Sequence, residues 1–152
     1  MSSTTRIRTI GMTASPSRGS RAESQLLARR IVIVIGLGSI AAIHVLDLPG
    51  KLKETPYLGF AYMALIVAAL VVAERLVTTA TRLDFAAAGL LSAMVIVGFV
   101  IDRTVGMPGA MDDIDNWLEP LGLLSLVVEG FVLWQCVAVL FADVPPHPRD
   151  SR

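Results

Sequence analysis

Four apolar segments, at residues 30–48, 56–76, 84–101 and 119–142, constrain this chain more than any other feature in it. Each is near the roughly 20 residues needed to cross a bilayer core of about 30 Å. The backbone finds no water at that depth, so every segment must satisfy its own N–H and C=O groups, and a helix does so without a partner strand. A hydrophobic content of 54% and a mean hydropathy of +0.67 likewise exclude an ordinary soluble domain. The expected fold is all-α, a four-transmembrane-helix bundle over residues 29–142. A basic arm (1–28) and a short Pro-rich tail (143–152) flank it, and both read as disordered.

Local signals place the helix starts. Thr55-Pro56 reads as a cap followed by Pro at the first helical position. Thr81-x-x-Asp84 has capping-box spacing, with Asp in place of Glu or Gln, and Asn116-x-x-Glu119 before Pro120 offers a similar arrangement. Tyr57 and Trp117 fall at one membrane face, where aromatic rings are enriched.

Lys and Arg set the orientation. Residues 1–30 carry Arg6, Arg8, Arg18, Arg21, Arg29 and Arg30 against Glu23, whereas the 102–118 loop has Arg103 alone among several acids. The positive-inside rule then expects both termini in the cytoplasm, a multi-pass topology in the inner (plasma) membrane, and the loops at 49–55 and 102–118 facing outward. A cleaved signal peptide ending near SIAA is the other reading of the first segment. That segment runs on to Leu48, longer than a typical signal core, so an uncleaved anchor is expected, with Met12 an alternative start.

Ile31–Ile43 contains Gly36-x-Gly38-x-x-Ala41, with Glu54 further on, in the form of a dinucleotide-binding fingerprint. No alternating strands and helices follow, so Gly38-x-x-x-Ala42 is read instead as a close approach between membrane helices. Cys136 is the lone cysteine and excludes an intrachain disulfide. Glu74 and Arg75 read as interfacial charges, with Arg75 snorkelling.

The residues able to carry chemistry gather at the outer end. His44 and Asp47 are one helical turn apart and share a face, as an oriented imidazole or as a structural histidine. Asp102, Asp112, Asp113, Asp115 and Glu119 surround Arg103, which is expected to pair with Glu54 or Asp47 from the other loop or helix. Such a cluster suits a hard cation, although the spacing is not that of an EF-hand, and Met107 and Met111 with His44 would suit copper. Asp112 and Asp113 taken singly read as solvated. Glu129 is the sharpest residue, a carboxyl inside an apolar segment, where ionisable groups cost several kcal/mol. Gly122, Ser125, Glu129, Val132 and Cys136 form a stripe that should look into the bundle. There Glu129 is either a neutral, hydrogen-bonded structural residue or a proton or cation site. The site residues expected are therefore His44, Asp47, Glu54, Asp102, Arg103, Asp113, Glu119 and Glu129, with the metal and cofactor left open.

Three stretches carry a resemblance. They are His44 with Pro49-x-Lys51-x-x-Glu54-x-Pro56-Tyr57-x-Gly59, then Arg103-Thr104-Val105-Gly106-Met107-Pro108-Gly109, and Asp113-x-x-Asn116-Trp117-x-Glu119-Pro120-Leu121-Gly122 running on to Ser125-Leu126-x-x-Glu129. They resemble a group of small integral membrane proteins of actinobacterial type to which no activity is assigned. The resemblance covers three helices and both outer loops, and it implies a four-helix membrane protein. The expected function is a non-catalytic accessory or sensing component that binds a cation, a metal or a partner at the outer face. An oligomeric proton- or cation-coupled transporter or channel is the alternative. A membrane enzyme ranks third, since no nucleophile–base pair or multi-histidine set is present. The expected partners are the lipid bilayer and a second copy or another membrane protein, and not nucleic acid.

Overall fold

The computed structural model describes residues 18–142, with side chains from residue 21. Helices α1 (Arg18–Glu54), α2 (Pro56–Thr78), α3 (Arg82–Thr104) and α4 (Pro120–Ala142) run up and down, with a short 3-10 turn at Met111–Asp113 between α3 and α4. All four are long and apolar enough to cross a membrane. α2, α3 and α4 have 23 residues each, about 35 Å at 1.5 Å per residue.

α1 is longer at both ends than the apolar pattern implies. Residues 18–28, expected to be disordered, are helical, because Ala22, Glu23, Gln25, Leu26, Leu27 and Ala28 favour the helix and no Pro interrupts them. The rest of the arm and the tail lie outside the described residues. At the other end α1 passes Leu48 and carries Pro49 inside it. That proline removes one helical donor. Tertiary contacts carry the helix onward: Leu52 packs tightly on Gly59 of α2, and Lys51 is bound across the loop end of the bundle.

Capping departs from expectation at two of three helix starts. Thr81 and Asp84 do form a reciprocal capping box. Thr55 makes no side-chain cap, its hydroxyl donating instead to Gly109 O at 3.2 Å. Glu119, not Asn116, supplies the first intrahelical carbonyl of α4, accepting from Leu123 N at 2.9 Å. Arg75 reaches past its neighbour to Asp84 at 2.6 Å, so at the terminal end it is an ion-pair partner as well as an interfacial charge.

The outward faces of the bundle are apolar, and its interior combines an apolar core with buried polar groups such as Arg103 and Glu129. Ile31, Ile35, Phe60, Val67, Leu90, Val97, Val127 and Trp134 all point away from the core. Apolar helices in lipid would gain little by hiding such faces from it, so close packing and internal polar contacts are what would hold a bundle of this kind together there. Gly36 supplies one such approach, with a Cβ there overlapping Val132 of α4, whereas Gly38 faces open space. The Gly38-x-x-x-Ala42 contact is thus not the one used; the interface lies half a turn away on the same helix. Ile33, Leu37, Ile40, Ala69, Leu76, Phe85, Ala88, Val132, Cys136 and Val139 make one core toward the terminal end. α1 packs on α2 and α4, and α3 on α4, but α2 and α3 touch only sparingly. The space between them becomes the site.

Candidate functional site

The α3–α4 loop folds back over the loop end of the bundle. Gly106 and Gly109 adopt φ of 81° and 78°, the left-handed region that L side chains rarely enter. Pro108-Gly109 occupies the central positions of a turn closed by Ala110 N donating to Met107 O at 2.8 Å, the residue pattern of a type II turn. Tyr57 donates its hydroxyl to Pro108 O at 2.8 Å and Thr55 reaches Gly109 O, so the α1–α2 junction is fastened to this turn.

Beneath the turn sits a charge network. Arg103 is 2% exposed and ties three carboxylates together: Asp113 at 2.9 Å, Asp102 at 3.5 Å and Glu119. Its guanidinium also donates to Asp113 O at 3.1 Å and lies 5.1 Å from the centre of the Phe99 ring. Asp113 is shared, because Lys51 of α1 approaches it at 2.8 Å. Burial pushes the Asp113 carboxyl up, but hydrogen bonds from Lys51 and Arg103 outweigh it and hold the group below the usual carboxylate range.

The expected Arg103 pairing with Glu54 or Asp47 is not made. α1 turns Lys51 toward the network and leaves Glu54 exposed, so the link between the two loops is Lys51–Asp113. Asp113 is correspondingly not a solvated acid but the centre of the network, whereas Asp112 and Asp115 are exposed. An i-to-i+3 relation on one helix is legible from spacing. The meeting of Lys51 with Asp113, 62 residues apart, is set by the path of the loop.

Below the network lies a cavity of about 470 Å³ reached by all four helices. His44, Asp47, Asp102, Arg103, Glu119 and Glu129 line it, joined by Lys51, Tyr62, Phe99 and Ser125, which the site reading did not include. Tyr62 could have been noticed as a phenol within an apolar helix; Phe99 gave no signal. His44 is buried, and its Nδ1–H donates to Ile40 O at 2.9 Å, which leaves Nε2 as the free lone pair. The Tyr62 ring meets the imidazole edge-on at 4.8 Å. Halfway along α4, Glu129 is 1% exposed. Ser125 donates to its Oε1 at 2.7 Å, while Oε2 has no hydrogen-bond partner among the described residues. Asp102 Oδ1 is orphaned in the same way. Among the described residues no three His, Cys, Asp or Glu side chains converge as a metal-binding group.

Comparison with protein families, with curated proteins and with solved structures finds no match to this chain.

Proposed function

We propose that this chain is a multi-pass protein of the plasma membrane that binds a cation in its internal cavity, as a non-catalytic accessory or sensing component. In the orientation favoured by the basic arm, the cavity belongs to the outer half of the bilayer. One observation carries the reading: the cavity has a surplus of carboxylates, and the deepest of them is incompletely satisfied. Asp47, Asp102, Glu119 and Glu129 face Lys51 and Arg103, and both cations are already engaged by Asp113 from above. A buried carboxyl oxygen without a partner costs on the order of 1–3 kcal/mol. A cation that reaches Glu129 supplies the missing contact, and binding is favoured by what the empty protein forgoes.

Transport is the second reading, and the shape of the cavity favours it over catalysis. Toward the terminal end the cavity stops at the packed core around Leu37, Val132 and Cys136, as a site closed toward that side of the membrane would. Uptake into proteoliposomes separates the two, since a sensing component accumulates nothing.

Binding is tested on the purified protein in lipid nanodiscs with a panel of organic monovalent cations of increasing size. Trp117 reports through its edge-on contact with Phe99, which lines the cavity, in a Trp134→Phe background. Saturable binding that is lost in Glu129→Gln supports the proposal. Gln keeps the shape and the Ser125 contact, so the variant remains folded. A panel without any Glu129-dependent member refutes the proposal.

A further inference from the structure

The route into the cavity narrows the ligand. The way in from the loop end is roofed by the Pro108-Gly109 turn, which Tyr57 and Thr55 fasten, and by the Lys51–Asp113–Arg103 network. The lining residues that are exposed are Ala61 and Ala64 on α2 and Met94 on α3. These lie on the two neighbouring helices that pack most loosely. Ala61 and Ala64 of α2 and Gly98 of α3 line the cavity on this side with little bulk, an arrangement we read as a window through the wall of the bundle. Elsewhere the outward faces of α2 and α3 carry Phe60, Val67, Leu90 and Val97, so the window opens onto the surface that faces lipid.

From this arrangement we infer that the ligand is a lipophilic cation, an amine or quaternary ammonium carrying a hydrocarbon group, that enters sideways from the bilayer between α2 and α3. The inference rests on the binding function proposed above and adds the class of ligand and its path. Behind the window the cavity offers apolar walls from Leu58, Leu65, Leu91 and Val95, with Tyr62 and Phe99 toward its polar end. Aromatic faces attract a cation through the ring quadrupole, most strongly where water is excluded. Glu129, almost fully buried with Oε2 unpartnered, and the orphaned Asp102 Oδ1 provide the negative charge. A volume of about 470 Å³ lies within the range of drug-sized sites, larger than a bare metal ion or ammonium would need. Anionic headgroups fit poorly, because Lys51 and Arg103 are held by carboxylates.

The test compares octyltrimethylammonium with tetramethylammonium on the full chain in nanodiscs, read by Trp117 as above, together with the window variants Ala64→Phe and Met94→Phe. Two window variants guard against misfolding of either, and both are accepted only when they elute as the parent does. The expected result is that octyltrimethylammonium binds at least tenfold more tightly than tetramethylammonium. Its binding falls at least tenfold in Glu129→Gln, and either window variant slows its association at least tenfold. Equal, Glu129-dependent binding of both cations, unaffected by the window variants, overturns the lateral route and leaves the binding function standing. Absence of Glu129-dependent binding by either cation defeats both. If octyltrimethylammonium binds equally well to the parent and to Glu129→Gln, the cavity takes up hydrocarbon chains and not cations, and the inference fails.

Discussion

Lys51 and Arg103 approach one carboxylate from different helices, and their contributions to stability are therefore expected to be non-additive. Lys51→Met removes a single charge-assisted contact at 2.8 Å and leaves Asp113 held by Arg103. Contacts of this type contribute about 1.5–3 kcal/mol, and the partial exposure of both partners favours the lower end. Arg103→Met is worse, because one buried cation serves Asp102, Asp113 and Glu119. Removing one partner of a buried pair costs about 3–5 kcal/mol, and about 3 is expected where the carboxylates retain some exposure. In the double variant Asp113 has neither cation. Its escape is to take up a proton, which at pH 7 costs about 1.4 kcal/mol for each of the roughly three units separating that pH from an ordinary Asp pKa. That sets a ceiling near 4 kcal/mol on the excess loss, and partial hydration lowers the expected excess to about 1–2 kcal/mol. Reversible unfolding in mixed detergent micelles measures all four corners of the cycle. Additivity within about 0.5 kcal/mol would refute Asp113 as a shared centre. Glu54→Ala combined with Arg103→Met is the control and should be additive, since Glu54 stands exposed and apart.

Three further outcomes follow from the same contacts. Gly36→Leu should destabilise the bundle by about 1–3 kcal/mol through collision with Val132, while Gly38→Leu, facing open space, should change its melting temperature little. Asp113 has a lowered native pKa, so its contribution is complete above its unfolded value of about 3.9 and is lost as the pH falls through the lower native value. Stability should accordingly drop on acidification below about pH 4, and Asp113→Asn should flatten that part of the profile, as read by thermal melts across pH. For topology, cysteines placed at Ser17 and at the exposed Asp112, in a Cys136→Ala background, should react oppositely with an impermeant thiol reagent on intact cells. Labelling of both from outside would overturn the orientation.

The number of the helices, and the span of all but the first, were legible in the sequence because hydropathy and helical hydrogen bonding are local properties, read over some 20 consecutive residues. Glu129 stood out for the same reason: a carboxyl in an apolar segment needs a partner wherever the segment packs, and its i−4 partner Ser125 lies on the same helix face. The capping box at Thr81 and Asp84 is equally local. What the sequence left open depended on two non-local matters, the path of the 105–119 loop and the rotation of each helix about its axis. The loop carries Asp113 to Lys51 and Arg103, which is why the ion pair expected with Glu54 is absent and why Thr55 serves the turn instead of its own helix. Helix rotation selects Gly36 over Gly38 for the contact with α4. The cavity is a property of no segment by itself. It exists because close α1–α2, α1–α4 and α3–α4 packing holds three sides of the bundle shut, while α2 and α3 touch only sparingly and short residues there (Ala61, Ala64, Gly98) do not fill the gap.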